Sequence, residues 1–155
     1  MKRRLFIAAA LGAGATLPFT RFAQAKGFEV TRTDAEWKAM LTPAQYKVMR
    51  KAGTERAGSS PLDKVYSAGT YHCRGCDLPV YSSEHKFDSG TGWPSFYKPF
   101  ANAVETETDY KLVYPRTEVH CRRCGSHFGH IFNDGPKPTG KRHCLNGVSL
   151  VFKAA

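Results

Sequence analysis

The chain has 155 residues, 41% of them hydrophobic, and a formal net charge of +10. This length suits one domain with an ordinary core. Lysines and arginines are scattered, without a run of five or six like charges. Such a pattern is typical of a solvated basic surface, so we do not expect a nucleic-acid partner.

The N-terminal segment, positions 1–25, has the organisation of an export signal. A basic segment, Lys2 to Arg4, precedes an apolar run from Leu5 to Phe19 and an A-x-A cleavage site at residues 23–25. The apolar run is shorter than the roughly 20 residues that span a bilayer, so no stable membrane anchor is expected. The paired arginines are typical of twin-arginine signals. We therefore expect residues 1–25 to be a twin-arginine signal peptide and the protein to be exported, into the bacterial periplasm.

The expected mature chain begins at Lys26 and is still basic. The leader holds four of the 23 lysines and arginines and no acid, which leaves 19 cations against 13 acids, a net charge of +6. Residues 26–32 are expected to lead into a single domain at residues 33–155.

Two short helices are predicted at the start of that domain. Thr33 and Glu36 have the spacing of a capping box, which predicts a helix through about Met40. The Thr42-Pro43 pair repeats the start signal as N-cap and first helical residue. Gly53 is expected to end this second helix of about three turns.

After a polar loop at residues 53–63, the chain consists of short runs rich in β-branched and aromatic residues, separated by turn formers. Such runs indicate antiparallel strands. Seven are predicted, at residues 65–73, 78–81, 104–107, 111–115, 117–121, 126–131 and 145–152. The expected fold class is therefore mainly β with short N-terminal helices.

Four of the five cysteines form two C-x-x-C pairs separated by 44 residues: Cys73, Cys76, Cys121 and Cys124. Two such pairs can give four thiolates to one tetrahedral zinc. The long gap costs only about 0.8 kcal/mol more than a usual one, against a zinc binding free energy of roughly 10–16 kcal/mol. We expect the zinc to be structural, because four cysteines leave no open position for a substrate.

Two other interpretations of these pairs stay open. Exported proteins commonly contain disulfides, and a C-x-x-C pair can be redox-active. The matched spacing of the pairs, together with export after folding, favours zinc. Gly75 and Gly125 are expected to form the tight turns that aim backbone N–H groups at sulfur.

The fifth cysteine, Cys144, has no C-x-x-C partner and lies near the C-terminus. The thiolate is the nucleophilic form of cysteine, and nearby cations favour it. Lys141, Arg142 and His143 directly precede Cys144. This setting indicates a nucleophile, and the alternative is a buried cysteine that packs as a small hydrophobe.

Three further motifs are GTGWPSF at residues 90–96, HFGHIF at 127–132 and RHCLN at 142–146. In this order, and interleaved with the two cysteine pairs, they resemble the methionine-R-sulfoxide reductase family, MsrB. Residues 41–46 and 53–56 are similar to its N-terminal segment, so the resemblance covers about residues 33–152. It implies two antiparallel sheets with N-terminal helices, and reduction of the R epimer of methionine sulfoxide, free or in oxidised proteins, as protein repair under oxidative stress.

The resemblance also implies roles for individual residues. Cys144 would attack the sulfoxide sulfur, and His127 and His130 would supply the acid and polarise the water involved. The sequence does not say which histidine holds the proton. Trp93 would form an aromatic wall for the methyl group. Asn146, on the same face as Cys144 if the segment is a strand, would hydrogen-bond the substrate or the histidines.

Three positions depart from the family pattern. Many members have a resolving cysteine where this chain has Thr91. If the paired cysteines hold zinc, an external thiol or dithiol must reduce the Cys144 sulfenic acid. His143 replaces a tyrosine or phenylalanine, and Phe128 replaces a leucine. These two changes bear on substrate preference and pH dependence.

Thr54 and Asp134 match motif positions and are expected to support the site. A monomer is expected, since no long apolar face appears. Two alternatives to the enzyme are an exported zinc-ribbon binding module and a thiol–disulfide oxidoreductase that uses one C-x-x-C pair. The latter gives no role to His127, His130 or Trp93.

Overall fold

The computed structural model describes residues 27–155, so the predicted signal peptide lies outside the described residues. Two helices, α1 (Asp34–Met40) and α2 (Pro43–Lys51), open the domain. Both begin with the capping box that the sequence predicts, at Thr33 and at Thr42. Helix α2 ends differently from the prediction: Ala52, not Gly53, adopts the left-handed conformation, with φ of 47°.

The remaining elements are strands in two antiparallel sheets, which confirms the predicted fold class. The smaller sheet has the order β2-β1-β9 and contains β1 (Gly69–Cys73), β2 (Pro79–Ser82) and β9 (Leu150–Ala154). The larger has the order β3-β4-β8-β7-β6-β5 and contains β3 (Lys86–Phe87), β4 (Ser95–Phe96), β5 (Val104–Asp109), β6 (Arg116–Cys121), β7 (His127–Phe132) and β8 (Arg142–Leu145). No helix in the described part of the chain is long and apolar enough to cross a membrane.

Two strand predictions were wrong. Residues 111–115 form the loop between β5 and β6, because the pairing of these strands ends at Asp109 and Arg116 and no core lies beyond it to bury the loop. The run at residues 145–152 contains a turn of 3₁₀ helix, Gly147–Ser149, which moves the chain from one sheet to the other. Strands β3 and β4 were missed, because two residues give no alternating pattern.

The core lies where the two sheets and α2 meet. Tyr71 of the smaller sheet packs edge-on against Phe96 of the larger one, with ring centroids 4.9 Å apart. Phe128 and Leu145 are fully buried beside them, as is Met49 of α2. Each such side chain contributes about 1.5–3 kcal/mol by burial. Strands β7 and β8, which contain His127, His130 and Cys144, are therefore held firmly at the centre of the larger sheet.

Candidate functional site

The four paired cysteines come together between the sheets. Cys73 ends β1 and Cys121 ends β6, and the second cysteine of each pair follows in the adjoining turn. All four Sγ atoms lie within 4.8 Å of one another, with separations of 3.6 Å for Cys73–Cys124 and 3.5 Å for Cys76–Cys121. Four sulfurs about 2.3 Å from a tetrahedral zinc would lie about 3.8 Å apart. The cluster therefore fits a structural zinc that links the two sheets.

The two glycines near these cysteines, Gly75 and Gly125, are needed for different structural reasons. Gly125, with φ of 65°, and Asp77, with φ of 58°, are the left-handed residues that follow the two pairs. Their N–H groups donate to the carbonyl of the first cysteine in each pair. Gly75 lies in the turn between Cys73 and Cys76, but its backbone is not left-handed. Gly75 is instead required for close packing, since a Cβ there would lie 2.7 Å from the Ser126 hydroxyl.

A second site opens over β7 and β8 as a cavity of about 140 Å³. Its lining residues are Thr54, Trp93, Arg116, Gly129, His130, Phe132, Cys144, Leu145 and Asn146. Four of the predicted site residues therefore meet in one pocket. The fifth, His127, lies behind His130, with the ring centroids 5.4 Å apart, and lines the neighbouring groove between α2 and β5.

Strand pairing places His130 beside Cys144. The two residues are direct partners in the antiparallel β7–β8 ladder, so their side chains project from the same face of the sheet. The neighbouring pair is Gly129 and Leu145. A Cβ at Gly129 would lie 2.0 Å from the carbonyl oxygen of Cys144. Only glycine therefore lets β7 approach β8 closely enough for this arrangement.

A β-bulge brings the two histidines to the same side. Residues three apart in a regular strand point to opposite faces, and His127 and His130 are three apart. The β6–β7 register shifts between Val119, which pairs with Gly129, and His120, which pairs with His127. The residue between, Phe128, is extra and turns into the core. The sequence motif alone does not reveal this bulge.

Each histidine is oriented by a carboxylate on the β5–β6 hairpin. Nδ1 of His127 lies 2.6 Å from Oε1 of Glu118, and Nε2 of His130 lies 2.7 Å from Oδ2 of Asp109. The same Asp109 oxygen accepts from Nη2 of Arg116 at 2.6 Å. The backbone N–H of Lys111, followed by the His130 and Arg116 side chains, holds the pKa of Asp109 well below its usual range. Asp109 is therefore ionised at neutral pH.

His130 is uncharged in this setting. Burial lowers its pKa, and this effect outweighs the hydrogen bond to Asp109, which raises it. The ionised carboxylate accepts the Nε2 proton, which leaves the lone pair of the neutral ring on Nδ1. Among the described residues, Nε2 of His127 is buried without a hydrogen-bond partner. Each histidine therefore keeps one nitrogen free for proton transfer.

The electrostatic setting of Cys144 differs from the expectation. Burial raises the pKa of its thiol, although Thr91, whose Oγ1 is 3.9 Å from Sγ, and Arg142 oppose this rise. Arg142 is already bonded to both oxygens of Asp134, at 2.9 and 2.8 Å. His143 points to the opposite face, where burial lowers its pKa to about 4. Because side chains alternate along a strand, cations next to Cys144 in sequence do not all lie next to its sulfur.

Glu55 organises the remaining wall of the pocket. Its carbonyl accepts from Nε1 of Trp93 at 3.1 Å, and its N–H donates to Oδ1 of Asn146 at 2.8 Å. The amide nitrogen of Asn146 donates to the Phe128 carbonyl at 2.9 Å. Asn146 lies just beyond β8 and not within it. Its second amide hydrogen is the group that it can offer to a substrate.

Sequence reasoning missed four residues that hold the site together: Glu55, Asp109, Arg116 and Glu118. Glu55 lies within the motif at residues 53–56, which gave it no role, and Glu118 is a charged residue inside a predicted strand whose other residues are mostly buried. Asp109 and Arg116 lie outside the quoted motifs. They are seven residues apart in sequence, and only the pairing of β5 with β6 brings them together beside His130.

Comparisons with known proteins identify the family. Residues 41–154 match the model of the SelR domain. The chain belongs to the MsrB family. A peptide methionine sulfoxide reductase MsrB of Pseudomonas putida (strain W619) is 51% identical over 126 residues, which cover 81% of this chain and 95% of the relative. An MsrB of Leptospira interrogans is 46% identical over 127 residues, covering 81% and 97%.

A longer relative shows the same likeness. The chloroplastic peptide methionine sulfoxide reductase B1 of Oryza sativa subsp. japonica is 47% identical over 127 residues, and the match spans 59% of its length. The SelR match at residues 41–154 includes both the cysteine cluster and the pocket.

Proposed function

We propose that this protein reduces the R epimer of methionine sulfoxide to methionine through a Cys144 sulfenic acid. The observation that carries the proposal is the pairing of Cys144 with His130 on one face of the sheet, inside a pocket walled by Trp93. Membership of the MsrB family supports the R epimer and the sulfoxide as substrate.

The pocket supplies the groups that the reaction needs. The Cys144 thiol proton passes to Nδ1 of His130, and the ionised Asp109 stabilises the imidazolium that forms. The thiolate attacks the sulfoxide sulfur and forms a transient S–S bond, while the imidazolium protonates the sulfoxide oxygen. The protonated oxygen then transfers to Sγ of Cys144: a new Sγ–O bond forms, and the substrate S–O bond and the transient S–S bond break. The electron pair of the S–O bond stays on the substrate sulfur, which leaves as the thioether, and Cys144 is left as the sulfenic acid. One thiol and one sulfoxide thus give one sulfenic acid and one methionine thioether.

Regeneration of Cys144 requires a thiol from outside the chain. The four other cysteines lie in the zinc cluster, and Thr91 occupies the position next to Sγ. One external thiol condenses with the sulfenic acid and releases water, and a second thiol displaces Cys144 as a free thiol and leaves an external disulfide. We propose that the enzyme works by this dithiol-dependent cycle. We also propose that residues 1–25 are a signal peptide, that the protein is exported, and that it acts as a monomer.

Zinc supplies structure and not chemistry in this proposal. Cys73, Cys76, Cys121 and Cys124 would hold it, and they leave no position for the substrate. Through these cysteines the metal would link the β6–β7 hairpin, which contains both histidines, to the smaller sheet.

The proposal is tested by measuring turnover of the separated R and S epimers of a methionine sulfoxide peptide with a dithiol reductant. We expect reduction of the R epimer alone, abolished by Cys144→Ser. Cys124→Ser is the matched control for thiol loss, because it is expected to reduce the zinc content and the stability instead of the chemical step. A folded, zinc-loaded protein that reduces neither epimer would contradict the proposal.

A further inference from the structure

The loop between β5 and β6 exposes an unusual amount of apolar surface. Among the described residues, six large hydrophobic side chains are exposed, and four of them lie on this loop: Tyr110, Leu112, Val113 and Tyr114. Val113 is fully exposed and Tyr110 is 75% exposed. A concentration of exposed apolar side chains on one segment is typical of an interaction site. None of the motifs in the sequence accounts for it.

The loop is continuous with the catalytic pocket. Its two ends are Asp109, which is bonded to His130, and Arg116, which lines the pocket beside Cys144. These two ends are joined by an ion pair at 2.6 Å, and the Lys111 N–H donates to Asp109 at 2.8 Å. The apolar loop therefore begins and ends at residues of the site, so a substrate held in the pocket lies beside it.

The pocket is too small to hold more than a side chain. Its volume of about 140 Å³ is below the roughly 300 Å³ at which small-molecule sites begin. A methionine sulfoxide within a polypeptide would place only its side chain there, and the flanking residues would lie on the surface around the opening. Phe132 lines the pocket, and the exposed β5–β6 loop adjoins the pocket at Arg116.

Oxidised proteins present segments that match this surface. Methionine is a residue of cores and apolar interfaces. Conversion of its thioether to the polar sulfoxide disrupts such packing, and this exposes the sulfoxide together with its apolar neighbours. A segment of that kind is chemically complementary to a loop of four exposed hydrophobic residues.

We propose that residues 110–115 dock the apolar residues that flank a methionine sulfoxide in a damaged, locally unfolded protein. The proposal rests on the proposed function, and it defines the substrate class as protein-bound sulfoxide in apolar sequence. The loop thus contributes to binding and not to the chemical step.

The test uses three substrates of the full, zinc-loaded chain: N-acetyl-methionine-R-sulfoxide, a pentapeptide whose central sulfoxide is flanked by leucine and valine, and one flanked by serine and glycine. The variant replaces Leu112, Val113 and Tyr114 with serine. A matched control, Met40→Ser with Tyr66→Ser, removes exposed hydrophobic side chains far from the loop in sequence.

We expect the wild-type enzyme to prefer the apolar pentapeptide over the polar one. The loop variant should lose about tenfold in kcat/KM on the apolar peptide, through KM, which corresponds to about 1.4 kcal/mol of uniform binding. Turnover of N-acetyl-methionine-R-sulfoxide, which has no flanking residues, should be unchanged. The control variant should match the wild type on all three substrates.

Three kinetic results would overturn the proposal. The wild type and the loop variant could have equal kcat/KM on the apolar peptide, the variant could lose as much kcat/KM on the acetylated amino acid as on the apolar peptide, or the wild type could show no preference between the two peptides.

Sedimentation with vesicles of equimolar phosphatidylcholine and phosphatidylglycerol tests whether the loop binds a membrane instead. Vesicle binding lost in the loop variant, with unchanged peptide kinetics, would also overturn it. Failure of the proposed function is separate, because the acetylated sulfoxide would then not be turned over at all.

Discussion

Replacement of His143 by phenylalanine should make this protein less sensitive to acid. His143 is buried on β8, on the opposite face from Cys144, and its Nδ1 lies 2.9 Å from the Tyr81 hydroxyl. Burial is the main cause that lowers its pKa from 6.5 to about 4, with the nearby Lys141 as a second cause. Phenylalanine has a similar ring and cannot be protonated, so the variant isolates the effect of this charge.

The magnitude follows from proton linkage. The unfolded chain binds a proton at His143 near pH 6.5, whereas the folded chain does so only near pH 4. A lowered folded-state pKa means that stability is fully present above pH 6.5 and is lost as the pH falls towards 4. His143 should therefore reduce the free energy of unfolding by about 2 kcal/mol between pH 7 and 5, and by about 3 kcal/mol in total.

The cost of the substitution at neutral pH has a different origin. Tyr81 is fully buried, and its hydroxyl would lose the His143 nitrogen as its partner. A buried unsatisfied polar group costs about 1–3 kcal/mol. We therefore expect His143→Phe to be less stable than wild type at pH 7, and to approach or exceed it at pH 5.

Urea unfolding at pH 7, 6 and 5 gives the free energy of unfolding of the variant and of the wild type. The difference between the two contains the pH dependence from His143 and the cost of the lost hydrogen bond, whereas the acid sensitivity of the zinc site is common to both proteins and cancels. Tyr81→Phe is the matched control, because it removes the same hydrogen bond and keeps the histidine. It should retain the full acid dependence. If His143→Phe and wild type lose stability in parallel between pH 7 and 5, the argument from burial is refuted.

Three further predictions concern the site. Asp109→Asn should lower kcat/KM about 100-fold, because an uncharged amide stabilises the His130 imidazolium poorly. Steady-state kinetics measure this loss, and an unchanged kcat/KM would exclude His130 as the proton carrier. Alkylation of Cys144 by iodoacetamide should accelerate with rising pH through a midpoint above the ordinary thiol pKa, since burial raises its pKa; a plateau near pH 7 would show an activated thiolate. Removal of zinc by a strong chelator should unfold the chain cooperatively, because binding of the metal stabilises the fold; circular dichroism that stays native after complete metal loss would contradict this.

The sequence alone determined the features that depend on local chemistry. Capping boxes and cysteine spacing are local in this sense: Thr33 and Thr42 start helices because their hydroxyls reach backbone groups three residues away. The two cysteine pairs can give four thiolates to a zinc ion, whatever path the chain takes between the pairs. The strongest motifs, around Trp93 and Cys144, sufficed to indicate the family and the nucleophile.

Only the tertiary structure decided how these residues act together. The bulge at Phe128 brings His127 and His130 to one side, and no local pattern encodes it. Strand pairing sets Asp109 against His130, and strand alternation turns His143 away from the nucleophile. The apolar run at residues 111–115 had the composition of a strand but formed a loop, because it extends beyond the last paired residues of β5 and β6. Strand pairing and burial depend on residues that are distant in the chain. Pairing and burial in turn set the pKa of each titratable group in the site and decide which of its surfaces are exposed.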